Sequence, residues 1–325
     1  MARAAGVSVP TVSRVLTGST PVSDRKREQV MRAIRELGYR PNAAARALVS
    51  GRRSIIAVMT GNTTFYGYAS TIQGIEEEAR HAGWGVTITV VNSADSETVR
   101  NAIDHALGQA VAGVIVLEFD AQGTEVLSAL PETVPIATVS STVEGRAVRR
   151  VLFDDRQGGY DATRYLLGLG HRTVHHVSVP GTGRPSGRLL GWRDALQAAG
   201  AEAPEVIETD WSPQSGYAAG LKLARDPGVT AVLCGNDEVA FGVIKALQDS
   251  GRRVPGEISV VGFDDHPHAA LWSPALTTVA QDFSRLGRTA VRELLGELDG
   301  GSPLRERGDG AMHLVIRESA APPAS

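Results

Sequence analysis

Six side chains have the types needed to hold a polyhydroxylated small molecule, and each falls just beyond a short apolar run. Phe65 and Tyr66 follow residues 55–59, and Arg188 follows 174–179 after a Gly/Pro-rich loop. Trp211 follows 206–208, Asn236 follows 229–234, and Asp264 follows 258–262. A carboxylate and an amide bind vicinal hydroxyls, a guanidinium donates a planar fork, and an indole face covers apolar C–H groups. Each residue also has a purely structural reading. Trp211 suits a core, Asn236 a helix N-cap, Arg188 a surface ion pair, and Asp264 a turn in Phe263-Asp264-Asp265-His266-Pro267. Their shared place beyond strand ends favours a site, because ligands of open α/β sheets bind outside the carboxyl ends of the strands.

A second set lies near the N-terminus. Val12, Val15 and Leu16 recur at spacings of three and four, one apolar face of a helix. Thr11, Ser13 and Arg14 then face outward, with Ser8 at the N-cap position and Pro10 in the first turn. Hydroxyls and free N–H groups at helix starts bind phosphates, and Arg matches the O6/N7 edge of guanine. Composition alone leaves a small helical packing module as the alternative.

Other chemistry finds little support. His105, His171, His175 and His176 show no metal-ligand spacing, and no Gly-x-Ser-x-Gly elbow occurs. Asp154-Asp155 and Asp264-Asp265 are adjacent pairs, which point to opposite faces of a strand and make poor acid dyads. Gly168–Gly170 lacks the spacing of a dinucleotide loop. The single cysteine, Cys234, lies in an apolar run and reads as a buried thiol, with no disulfide framework or Cys-based zinc site. The expectation is a protein without catalytic residues, metal or cofactor.

These residues need elements to carry them. Residues 1–40 read as three short helices: Val30, Ile34 and Leu37 form a second apolar face, Ser23 sits at an N-cap and Gly38 at a C-terminus. Such a trio fits a helix-turn-helix. Residues 41–50, from Pro41 to Ser50, are alanine-rich and suit a marginal helix that orders against a partner. From residue 54 onward, apolar runs at 55–59, 86–91, 113–117, 134–139, 151–153, 174–179, 229–234 and 258–262 alternate with helical stretches near 70–82, 97–109, 158–169, 187–199, 214–225, 237–249 and 284–298. That alternation implies parallel sheets covered by helices. About 260 residues exceed one core, so two α/β lobes are expected. Residues 299–310 and 318–325 read as loop and flexible tail.

The charge is uneven along the 325 residues. Residues 1–53 hold eleven Lys/Arg against three acids, a charge of +8, and the remainder holds 22 against 33, a charge of −11. The formal net charge of −3 conceals a basic head on an acidic body. No stretch approaches a membrane span, and the N-terminus lacks the apolar core of a secretory signal, so a cytoplasmic protein is expected.

The motifs resemble one family. Residues 5–18, with Glu36-Leu37-Gly38-Tyr39-Arg40-Pro41-Asn42 and Ala45-Arg46-Ala47-Leu48, closely resemble the headpiece and hinge of the lactose/galactose-repressor (LacI/GalR) family. The resemblance resumes at Leu169-Gly170-His171-Arg172, Gly235-Asn236-Asp237, Val260-Val261-Gly262-Phe263-Asp264-Asp265 and Pro274-Ala275-Leu276-Thr277-Thr278-Val279. It implies a helix-turn-helix headpiece over 1–40 and a hinge helix and linker over 41–53. Residues 54–317 would then form a two-lobed, periplasmic-binding-protein-like (type I) core that binds effector and dimerises.

The resemblance also implies roles. Val9 and Pro10 match positions that vary with operator choice, Arg14 a base-contacting arginine, and Asn42 and Arg46 belong to the matched headpiece and hinge motifs. Leu48 matches a hinge leucine that wedges into the minor groove, a recognised way to kink DNA. Arg188, Asn236 and Asp264 match effector-binding positions. Asp210-Trp211-Ser212 and Gln281-Asp282-Phe283 resemble the lactose-repressor branch, where the Trp and Phe line the sugar pocket. Gln157 stands where that branch has an acidic sugar contact, and the acids nearest in sequence that could replace it are Asp154 and Asp155. Family members start with a longer Thr-Ile-x-Asp-Val-Ala segment, and Met1 falls at its valine, so an upstream start is expected. The implied function is repression from a pseudo-palindromic operator by a homodimer, controlled by a small carbohydrate.

Overall fold

The computed structural model describes residues 1–17, 21–38, 54–141, 146–182, 184–301 and 312–324. The chain forms two compact units, Met1–Ser54 and Ile55–Ser325. In the first, helices Ala2–Ala5, Val9–Thr17 and Asp24–Glu36 pack through Ala5, Val12, Val15, Val30 and Ala33. The side chain of Leu16 lies outside the described residues. Gly38 adopts φ +56° at the end of the third helix, where an L side chain is strained. One expectation fails locally. Leu37 is exposed rather than packed, because the last turn carries it past the edge of this small core. Ser23 occupies the N-cap but its side chain makes no capping bond.

The second unit contains two sheets. The first has the order β2-β1-β3-β4-β5, all parallel, from Ile55–Thr60 (β1), Gly85–Val90 (β2), Gly113–Glu118 (β3), Ile136–Ser140 (β4) and Arg149–Leu152 (β5). The second has the order β11-β10-β9-β8-β6-β7, from His175–Ser178 (β6), Ile207–Glu208 (β7), Ala231–Cys234 (β8), Ser259–Asp264 (β9), Thr277–Ala280 (β10) and His313–Val315 (β11). Only β11 runs antiparallel to its neighbour. Strands β3, β4, β8 and β9 are buried along their whole length, as apolar strands covered on both faces must be. Cys234 is a buried free thiol at the end of β8.

The chain crosses between the lobes more than once. It leaves the first sheet after Leu152 and returns when helix Phe283–Leu298 packs Phe283, Leu286, Ala290, Val291 and Leu294 into the first core. It crosses again to reach β11 in the second sheet. Helices Tyr66–His81 and Phe283–Leu298 approach so closely that a Cβ on Gly287 would lie 2.1 Å from the Thr71 carbonyl oxygen. No helix among the described residues is long and apolar enough to cross a membrane.

The expected flexible tail is instead part of the second lobe. Ser319 is fully buried, its Oγ donating to Val260 O at 2.6 Å and accepting from Thr277 N at 2.8 Å. Ala321 N and O both meet the Ser259 hydroxyl, at 3.0 and 2.9 Å. His171 stands within hydrogen-bond distance of Thr230 Oγ1, Ser259 Oγ and Ala321 O, closing the end of the sheet. Hydrogen bonds between side-chain hydroxyls, an imidazole and backbone groups rather than apolar bulk hold this segment, so its polar, Pro/Ala-rich composition gave no sign of it.

Candidate functional site

A cavity of about 450 Å³ opens where the carboxyl ends of both parallel sheets meet. Phe65 follows β1, Phe119 follows β3 and Phe153 follows β5; from the other lobe come Val179 after β6, Trp211 after β7, Asn236 after β8 and Asp264 at the end of β9. Phe283 enters from the start of its helix. The aromatic wall is continuous: Phe119 lies 5.0 Å from Tyr68 and 5.6 Å from Phe153, and Tyr68 lies 6.3 Å from Trp211. The Tyr68 hydroxyl donates to Asp120 at 2.5 Å, which fixes that ring. Phe65 is set by an Asx turn, Asn62 Oδ1 accepting from Thr64 N at 2.6 Å and Phe65 N at 2.9 Å.

Arg188 organises the polar side. It lies buried in the first turn of helix Gly187–Ala198, with its guanidinium 4.0 Å above the Phe263 ring. Nη2 is 3.1 Å from Asp264 Oδ1, Nε is 3.2 Å from Asp155 Oδ2, and Nη1 donates to Gly235 O. Tight helix packing makes this possible. A Cβ on Gly191 would meet Arg156 O at 2.0 Å, and one on Gly159 would meet Arg188 O at 2.4 Å, so only glycine lets helix Asp155–Gly168 bring Asp155 so near.

Asp264 sits at φ +105°, a strained conformation for a residue with a Cβ, and is pinned there by Arg188 and by the Gln281 amide at 2.9 Å. Burial raises its carboxyl to about 7 despite the guanidinium. Burial likewise raises Asp155, against the opposing pull of Arg188. Asn236 accepts from Val239 N at 2.8 Å, so it caps its helix and lines the cavity at once. Among the described residues no group of three or more His, Cys, Asp or Glu is placed to hold a metal.

Of the residues expected here, Phe65, Arg188, Trp211, Asn236, Asp264 and Phe283 line the cavity together, whereas Tyr66 does not. Its ring turns away to lie 4.9 Å from His266 and 5.9 Å from Phe283. The first helix after β1 begins at Tyr66, so successive residues diverge by a helical rotation rather than facing the same way.

In the first unit, Val9 is 71% exposed, and Ser8, Pro10 and Arg14 are also exposed along the second helix. Thr11 and Ser13 are half-buried, with the Ser8 and Thr11 hydroxyls 2.9 Å apart. Arg3, Arg25, Lys26, Arg27, Arg32 and Arg35 are all exposed, so the unit presents cations to solvent. Asn42, Arg46 and Leu48 lie outside the described residues.

Comparison with known proteins assigns both units. Residues 1–42 match the family model of bacterial regulatory proteins, lacI family, and residues 163–320 that of a periplasmic binding protein-like domain. The lactose operon repressor of Escherichia coli (strain K12) is 31% identical, the match covering 99% of this chain and 90% of that one. The chain belongs to the LacI family. Among solved LacI-family structures, the Lac repressor dimer bound to operator and the anti-inducer ONPF matches with a TM-score of 0.87 at 30% identity, over 98% of this chain and 97% of that one. The complex of the regulator CelR with cellobiose matches with a TM-score of 0.72 at 32% identity, over 98% of each chain.

Two groups of cavity residues in this LacI-family chain escaped the sequence reading. Phe119 and Phe153 were open to the strand-end rule that found the others. Glu238, in the first turn of helix Asp237–Asp249, was not: an acid there is accounted for by the helix dipole. Asp155 reads in the sequence as half of an adjacent acid pair or, with Asp154, as a substitute for the contact missing at Gln157, and the structure pairs it with Arg188 instead.

Proposed function

We propose that this protein is a transcriptional repressor that binds a pseudo-palindromic operator as a homodimer and is controlled by a small polyhydroxylated effector held between its lobes. The observation that carries the reading is the cavity at the carboxyl ends of both sheets, with an aromatic wall on one side and Arg188, Asn236 and Asp264 on the other. That combination suits a sugar: C–H faces lie on Trp211, Phe65 and Phe283, and hydroxyls pair with the amide and carboxylate. Arg188 holds Asp264 in position.

The second helix of the headpiece enters the major groove. Ser8, Thr11 and Ser13 meet phosphates near its start, and Val9, Pro10 and Arg14 reach the base edges. Asn42 and Arg46 add contacts at the hinge, and Leu48 wedges into the minor groove at the operator centre. A ligand that prefers one arrangement of the two lobes shifts the population that supports the hinge, and so changes operator affinity. No catalytic step is required, and the protein works in the cytoplasm, where its operator is.

A gel shift on the DNA upstream of the protein's own gene, with a panel of mono- and disaccharides, tests this reading. The expected result is a specific shift that one sugar strengthens or abolishes, which also gives the sign of control. Trp211→Ala and Asp264→Ala should keep the shift and lose the sugar response. An unchanged response in both variants would remove the cavity from the mechanism.

A further inference from the structure

The cavity carries a charge imbalance that a neutral sugar leaves unresolved. Its charged lining residues are Asp154, Asp155, Arg156, Arg184, Arg188, Glu238 and Asp264. Three of these belong to the rim. Asp154 is exposed and caps its helix, Arg156 is exposed and paired with Asp194 at 2.6 Å, and Arg184 is exposed. The inner part therefore holds three carboxyls, Asp155, Glu238 and Asp264, around the single guanidinium of Arg188.

Arg188 is shared between Asp155 and Asp264. Glu238 has only neutral donors among the described residues: the Asn236 amide at 3.3 Å and the Tyr66 backbone N–H. The Asp155 carboxylate also keeps one buried oxygen, Oδ1, without a hydrogen-bond partner. Enclosing a neutral ligand here takes water away from Glu238, which has no cationic partner among the described residues, and from two acids that share one guanidinium, which is costly. An anionic ligand such as a sugar phosphate is worse, because the one inner cation is already neutralised.

We propose that the effector is a polyhydroxylated molecule bearing a protonated amine, an amino sugar or aminated polyol, and that Glu238 selects it. This deepens the sugar reading of the cavity and rests on it. An ammonium group brings three donors and no acceptor, matching the excess of acceptor oxygens at Glu238 and Asp264. Trp211, whose carbonyl lies 3.4 Å from the Asn236 amide, adds an indole wall that favours a cation.

Acidity gives a second signature. Burial, reinforced by the charge of Asp264, raises Glu238 to about 7, and burial raises Asp264 to about 7. The other charged and titratable groups of this region are Asp155 and Arg188 in the cavity lining, Asp237, on which Asp264 and Asp265 act, and His266 against Tyr66. An ammonium favours the ionised carboxyls, so binding it expels protons, and its affinity rises from pH 6 to pH 7, below the range of about 8 where a free amino group loses its own proton. Affinity for a neutral sugar does not.

Calorimetric titration of the full chain tests the proposal. The probes are glucose, galactose, mannose and their β-1,4-linked glucose disaccharide, each compared with the free 2-amino and N-acetylated 2-amino forms. The expected result is at least tenfold tighter binding of a free amine than of its N-acetylated and neutral counterparts at pH 7, with the preference smaller at pH 6. Glu238→Gln, shown to be folded by retained operator binding, should reduce that preference below threefold. Equal or tighter binding of a neutral form overturns the amine inference and leaves the sugar cavity standing. A preference that survives Glu238→Gln overturns the role of Glu238. Binding of no probe overturns both the inference and the sugar reading beneath it.

Discussion

Arg188 binds two buried carboxyls at once, and its loss tests how far the polar side of the cavity depends on it. Arg188→Met keeps much of the side chain's bulk but strands Asp155 and Asp264 without a countercharge. Breaking a buried pair in this way costs about 3–5 kcal/mol. The cost depends on pH in a fixed direction. The folded-state pKa values of both acids are already raised by burial, Asp264 to about 7, and rise further without the guanidinium. Stability from such groups is full below their unfolded values, near 3.9, and is lost as pH rises through the folded ones. Urea unfolding should therefore show a larger deficit for Arg188→Met at pH 8 than at pH 5.5; an equal deficit at both would refute the charge argument. At this scale the sequence revealed residues that follow a strand, because position alone marks Trp211, Asn236 and Asp264. It hid Glu238, because an acid at a helix start has an ordinary explanation and only the folded chain places it against a second carboxyl.

Elements were legible where periodicity was strong and dark where polar contacts replaced it. The runs that became β1, β3, β8 and β9 are predominantly apolar, and both cores follow from them. Helix Ala121–Ala129 was not foreseen, since Gly123 and Thr124 interrupt its apolar spacing and its start depends on Asp120 accepting from Gly123 N at 2.8 Å. Strands Thr277–Ala280 and His313–Val315 are short and partly polar, and they exist as strands only by pairing with each other and with β9. The C-terminal segment is the strongest case. Truncation after Arg317 removes Ser319 and Ala321, leaves Thr277 N and Val260 O without their hydroxyl partner in a buried region, and takes the Ala321 carbonyl from His171. Each stranded group costs about 1–3 kcal/mol. Urea unfolding of the truncated chain should show a midpoint well below that of the full chain, and an unchanged midpoint would mean the segment is a passive passenger.

Over the whole molecule, the division of charge separates two kinds of binding. A head of +8 meets a polyanion, whereas a body of −11 holds a small ligand in an enclosed cavity. Operator affinity should fall by roughly 10³–10⁵ between 50 and 200 mM salt if six to ten phosphates are contacted. Effector affinity, measured on the same sample through the ligand-dependent change in tryptophan fluorescence, should change far less. A flat salt dependence of DNA binding would mean that the basic head does not touch the backbone. The chain's repeated passage between lobes has a consequence for its birth on the ribosome. The first sheet is complete once Leu152 has been made, but its core lacks the helix Phe283–Leu298 until most of the second lobe has also been synthesised. Contacts so distant in sequence close slowly. The first lobe therefore waits, half-covered, through more than a hundred further residues of translation, and the two lobes mature together at the end rather than one after the other.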